Sequence, residues 1–202
     1  MAPAMPGQVG AAPDAEVRWR ALLRDIRTHF AGRIGVELLA TDHLQPPPAF
    51  LDAVDDIFVQ VRAPLASSAT AGADELNAAA ASVLDGKIAV LRAVGKPVII
   101  EAAYASASGG AGGCPLDASG RCLALESLAA GSALALGTAP NLGVQLSAYQ
   151  ALLGAAATRD WIKGFMSWGY YAPVGLRDAS PSVHGKPAEA VLQAYYQALS
   201  GR

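Results

Sequence analysis

The run Val98-Ile99-Ile100-Glu101 constrains the fold of this chain more than any other stretch. Gly95-Lys96-Pro97 punctuates the chain as a turn just before it. Three consecutive β-favouring apolar residues then read as a short strand buried on both faces, as in a parallel sheet. The strand ends on a carboxylate. An unpaired Glu inside such a strand costs several kcal/mol, so Glu101 is expected at the C-terminal tip, facing a cleft. It is either a functional group there or a side chain that has simply reached solvent. In a (β/α) barrel that end of the strands carries the catalytic groups.

The rest of the chain alternates strand and helix. Val17, Leu22, Leu23, Ile26 and Phe30 predict an amphipathic helix over 16–30, closed by Gly32. A strand is expected over 34–40, then a short helix opened by Pro46-Pro47-Pro48 and running through Phe50 and Val54. The second strand, 56–63, is stopped by Pro64, and an Ala-rich helix over 73–94 closes at Gly95. After the third strand, 98–102, comes a Gly- and Ser-rich loop with a helical piece at 123–134. A helix over 141–158, a fourth strand within 161–170 and a closing helix over 187–199 complete the chain.

Strands separated by helices imply βαβ units, a parallel sheet and right-handed crossovers. A closed (β/α) barrel needs eight strands in about 250 residues. Four strands in 202 residues therefore predict an α/β fold that is half of a (β/α)8 TIM barrel. The rival is an open flavodoxin-like sheet, but the segment after the first strand, Thr41-Asp42-His43-Leu44-Gln45-Pro46, lacks glycines to cradle a phosphate. No GxGxxG or Walker sequence occurs, and no cofactor is implied.

The length fits one domain, taken as 16–202, after an Ala-, Pro- and Gly-rich stretch 1–15 that reads as a disordered leader. That stretch has neither a basic start nor a hydrophobic run, so it reads as neither signal nor transit peptide. A net charge of −2 gives no footprint for nucleic acid or anionic membrane. No apolar run approaches the roughly 20 residues that span a bilayer. Cys114 and Cys122 lie in a Pro- and Gly-containing loop and form either a disulfide, which would suit a secreted or periplasmic protein, or two free thiols. Two cysteines without a nearby His make no zinc site, and His29, His43 and His184 are too scattered for a metal signature. The Gly-Xaa-Ser-Xaa-Gly elbow of a serine hydrolase is missing.

Several segments in order resemble the second half of a clan A glycoside hydrolase barrel, closest to the family 113 β-mannanase-like group. The helix from Glu16 through Arg27, with Phe30 to Ile34 after it, resembles the passage into barrel strand five. Phe50-Leu51-Asp52 through Val61-Arg62-Ala63-Pro64-Leu65 resembles strand six. Gly95-Lys96-Pro97-Val98-Ile99-Ile100-Glu101-Ala102-Ala103-Tyr104 resembles strand seven. Gln145 with Tyr149, then Trp161 through Gly169, then Gly185-Lys186-Pro187, resemble strand eight and its flanking helices.

The resemblance implies retaining hydrolysis of a β-linked glycan with Glu101 as nucleophile. It places Trp168 under the sugar, where an indole ring suits an apolar sugar face. Tyr104 either hydrogen-bonds a sugar hydroxyl or packs under the loop. Two departures stand beside these matches. The family's general acid/base is a Glu ending strand four, upstream of the helix that begins near Glu16; the leader occupies that place here. Glu16 itself, at a helix start, is a dipole-favoured carboxylate and not a catalyst.

The second departure is Arg62, where the family offers a Tyr that hydrogen-bonds the nucleophile. Arg62 either pairs with Glu101 and keeps it ionised, or joins a structural ion pair. Retaining chemistry requires a second carboxyl about 5–5.5 Å from the nucleophile. Glu37, Asp42 and Asp178 are the candidates within the chain. Glu37 faces either the barrel interior or an Arg on a helix. Asp42, beside His43, and Asp178, near His184, are loop residues open to sugar contacts. The expected partners are an oligo- or polysaccharide and, because both outer strands would be open edges, a missing N-terminal barrel half or a second copy. A non-catalytic carbohydrate-binding or scaffold remnant of a barrel is the alternative.

Overall fold

The computed structural model describes residues 4–6, 8, 10–41, 44–67, 71–128, 137–171 and 178–200. Its centre is a four-stranded parallel sheet in the order β1 (Gly35–Leu39), β2 (Asp56–Val61), β3 (Val98–Ala102) and β4 (Ile162–Ser167). The helices are α1 (Ala15–His29), α2 (Ala73–Val83), α3 (Leu142–Ala157) and α4 (Pro187–Ser200). Sequential order with parallel neighbours is what successive crossovers generate. The fold is α/β and consistent with a partial TIM barrel.

The elements fall close to the expected bounds, with three physical differences. Strand β2 stops at Val61, two residues short of 63, because the backbone has left the ladder before Pro64. The Ala-rich helix is regular only to Val83. It then widens into a π-helical turn at Leu84–Ile88 and tightens into a 3-10 segment at Ala89–Val94, ending at Gly95 with φ +71°. Of the helical piece expected at 123–134, a single 3-10 turn at Leu125–Leu128 is present, and 129–136 lie outside the described residues. The stretch read as a disordered leader is partly engaged: Met5 packs against the core, and Trp19 Nε1 donates to the Ala4 carbonyl at 3.4 Å.

The two faces of the sheet are unlike. Val36 and Leu38 on β1, Ile57, Val59 and Val61 on β2, Val98, Ile100 and Ala102 on β3, and Phe165 on β4 are all buried. They share one core with Leu76, Ala80 and Val83 of α2, Ala148 and Leu152 of α3, and Leu192 of α4. Period-two alternation sends the intervening residues to the opposite face. There the register sets Glu37, Phe58, Ile99 and Gly164 in one row, with Leu39, Gln60, Glu101 and Met166 in the row above it. Glu37 is exposed, and Leu39, Phe58, Ile99 and Met166 are only half-buried. A doubly wound flavodoxin-like sheet covers both faces with helices, whereas among the described residues the helices share their core with one face of this sheet.

Small residues make the open face packable. A Cβ on Gly35 would overlap the Phe58 ring, and one on Gly164 would lie 3.1 Å from Ile99 Cγ1. Phe58 and Ile99 thus lean over glycines on the outer strands. No helix among the described residues is long and apolar enough to cross a membrane.

Candidate functional site

Glu101 occupies the penultimate position of β3, and its strand neighbours Ile100 and Ala102 point into the helix-covered core. The carboxyl therefore stands on the open face near the C-terminal end of the sheet. It is 9% exposed. Burial, and then the nearby charge of Glu37, push its pKa from the ordinary carboxylate range up to about 7. Gln60 sits directly opposite Glu101 on β2, and its Nε2 donates to Glu37 Oε1 at 3.0 Å. Glu37 thus takes Gln60 and not a helix arginine as its partner, and shares the open face with Glu101. Trp168 follows β4 by one residue on the same alternation as Met166, the partner of Glu101. It is half-buried against Ala103, Ala105 and Leu128.

Other expected site residues are elsewhere engaged. Arg62 does not pair with Glu101. Its Nη1 reaches Glu126 Oε1 at 3.2 Å, so of the two alternatives Arg62 takes the structural ion pair. Tyr104 is fully buried, and its hydroxyl donates to the Ala63 carbonyl at 2.7 Å. Of the two alternatives for it, this is the packed one, with the ring under the loop. Asp178 is committed too, with Lys186 Nζ at 3.1 Å and the Ser180 amide at 2.8 Å. Burial pushes the Asp178 carboxyl up, but the Ser180 hydrogen bonds and Lys186 outweigh it, and the carboxyl lies below its ordinary value. Asp42 lies outside the described residues. Cys114 and Cys122 form a disulfide with Cα atoms 5.3 Å apart.

What positions Glu101 is a web beneath the rim. Tyr149 of α3 donates to the Ala102 carbonyl at 2.9 Å, and the Trp168 amide reaches the same oxygen at 2.9 Å. Gln145, also on α3 and fully buried, donates its amide to the carbonyls of Tyr104, Pro181 and Ser182 at 2.9, 3.0 and 3.3 Å. Lys186 adds bonds to Ser106 Oγ at 2.8 Å and the Ser180 carbonyl at 2.9 Å. The segments after β3 and β4 are thereby tied to α3 and to the start of α4.

Sequence reasoning missed Gln60, Lys186 and the hydrogen-bonding role of Gln145. For Gln60 a signal existed, since it is a polar residue in an apolar strand, two positions before Arg62. Lys186 repeats the Gly-Lys-Pro turn seen at 95–97, with nothing local to show that it is buried. The two clefts of note, about 230 Å³ beside Gly109, Asn141 and Ser147 and about 290 Å³ beside Pro47 and Asp52, do not include Glu101. Among the described residues no group of three or more His, Cys, Asp or Glu is gathered to hold a metal.

No family model matches the chain, and no curated protein matches it. Solved structures do. A GH113 β-1,4-mannanase is similar with a TM-score of 0.63 and 27% identity, over 93% of this chain and 52% of its own. The fold is clan A glycoside hydrolase-like. The GH113 β-mannanase of Alicyclobacillus acidocaldarius, solved in complex with ManMIm, gives a TM-score of 0.64 at 24% identity over 90% of this chain and 50% of its own. A Bifidobacterium dentium β-glucuronidase, at 12% identity and TM-score 0.60 over 96% of this chain and 29% of its own, shares the fold alone. The chain spans about half the length of the mannanases it matches.

Proposed function

We propose that this chain is the glycosidase-like half of a barrel, corresponding to strands five to eight, and that it works on a β-linked glycan. Glu101 is its nucleophile in a retaining reaction. The observation that carries the reading is the placement of Glu101 and Trp168 at one end of adjacent parallel strands, on the sheet face that helices leave open. Catalytic groups of (β/α) barrels occupy that end. The proton donor comes from outside these residues, from the complementary barrel half or a second copy, which would also pair the outer edges of β1 and β4. Glu37 lies one row deeper than Glu101 and is not assigned that role.

Trapping tests the nucleophile without needing the donor. A dinitrophenyl 2-deoxy-2-fluoro-β-mannoside carries a leaving group that departs unprotonated. Attack by Glu101 on the anomeric carbon forms an ester and releases dinitrophenolate, so intact mass should rise by one fluorosugar. Peptide mapping should place the adduct on Glu101, and Glu101→Gln should show none. A folded chain that gains no mass would discard the nucleophile.

A second reading, a non-catalytic carbohydrate-binding remnant, is favoured by one feature. Arg62 is turned to Glu126 rather than Glu101, and burial and the Glu37 charge hold the Glu101 pKa up at about 7. Binding of mannan oligosaccharides with no adduct would select this reading.

A further inference from the structure

Tyr170 follows Trp168 at the end of β4, beyond a turn in which Gly169 adopts φ +82°. It is 61% exposed, the second most exposed large hydrophobic side chain after Val17 among the described residues. Exposed aromatic rings are ordinarily mobile. This one is braced on two sides. One ring face stacks on His184 with centroids 4.3 Å apart and planes 25° from parallel. The hydroxyl donates to Glu189 Oε1 at 2.9 Å, and Glu189 is itself held by the Gly185 amide at 2.8 Å through its other oxygen. His184 in turn is fixed by the Tyr171 carbonyl, 2.8 Å from Nδ1, and by its own amide to Ser182 Oγ at 3.3 Å. With 61% of its surface exposed, Tyr170 keeps most of its area beyond the His184 contact open to solvent.

We infer that Tyr170, backed by His184, is a sugar-stacking platform that holds an outer unit of a β-linked glycan whose reacting unit lies over Trp168. A flat ring with most of its area free and its orientation already fixed loses little freedom when a pyranose packs on it. Its position two residues beyond Trp168, on the same rim, suits a ligand that is a chain of rings and not a single sugar. The assignment rests on the carbohydrate reading above.

The test is calorimetric titration of the 202-residue chain with mannopentaose and with mannobiose. Tyr170→Ala should weaken mannopentaose roughly tenfold and leave mannobiose within about twofold, the scale of one lost aromatic stack. Tyr170→Phe keeps the ring and should lose no more than about threefold. His184→Ala, which removes the backing, should fall between the two. Equal mannopentaose affinity for Tyr170→Ala and the unaltered chain would overturn the platform. If Trp168→Ala weakened binding in that same experiment, the carbohydrate reading would survive it. An unaltered chain that bound neither sugar would sink both together, and uniform weakening of both sugars by Tyr170→Ala would reassign the residue to the structure of the rim.

Discussion

The two faces of the sheet are built from the same four strands, yet they obey different rules. On the helix-covered face, Ile57, Val59, Ile100 and their neighbours are sealed in a single core with α2, α3 and α4. On the open face, one residue away along each strand, sit Glu37, Gln60, Glu101 and half-buried Phe58, Ile99 and Met166. The first face carries the stability of the domain. The second retains polar groups that packing would otherwise exclude, and that tolerance for a buried carboxyl is what makes it the candidate site.

Adjacent isoleucines test the comparison most strongly. Ile100→Ala should cost about 2–5 kcal/mol, because a sealed core relaxes little around the cavity. Ile99→Ala, on the open face, should cost under about half of that, as measured by urea unfolding of both variants. Equal costs would mean that something covers the open face in solution.

The next largest effect is electrostatic. Glu101 binds its proton more tightly folded than unfolded, because its pKa is raised from 4.5 to about 7. Between those values the native state holds more protons than the unfolded chain, so stability falls as pH rises through that window. The full loss is up to about 3 kcal/mol at 1.36 kcal/mol per unit. Glu101→Gln should abolish this slope and be the more stable protein at pH 8, and unfolding curves at pH 4, 6 and 8 would show it. If Glu101 is the nucleophile, trapping by the fluorosugar should accelerate over the same window as the carboxylate forms.

A smaller shift belongs to Glu37→Gln. It should lower the Glu101 midpoint only part of the way, since burial is the larger cause and the Glu37 charge the lesser. Carboxyl carbon NMR titration measures that directly. Arg62→Ala should do least. An exposed pair with Glu126 is worth under about 1 kcal/mol, and the Glu101 titration should not move, because the guanidinium points elsewhere. A changed midpoint would restore the Arg62–Glu101 pairing.

What could be read from the sequence was local. The apolar run before Glu101 located β3 at 98–102, and period-two alternation separated Ile100 from Glu101. The strand-helix alternation carried the parallel sheet, while the Cys114–Cys122 loop allowed either a disulfide or two free thiols until the structure placed the sulfurs together. What could not be read depends on who meets whom across the chain. Arg62 finds Glu126 at a separation of 64 residues, and nothing near Arg62 favours that partner over Glu101. Tyr104 is three residues past Glu101 in sequence, yet the chain's return beneath the rim buries it completely. The side taken by Glu37 follows from the register of β1 on β2, which no isolated strand specifies. Tyr170 was legible as an aromatic after β4, but its bracing by His184 and Glu189 appears only when α4 docks.

Gln145 grips the loops through the main-chain carbonyls of Tyr104, Pro181 and Ser182. Every amino acid carries that carbonyl. The Gln145 bonds are therefore indifferent to which side chains stand at 181 and 182, although the Ser182 hydroxyl separately receives the Tyr171 and His184 amides. Pro181→Ala, which keeps the carbonyl, should leave the anchor in place, whereas Gln145 should accept almost no replacement. The molecule thus fastens two rim segments to one helix through atoms that every residue carries.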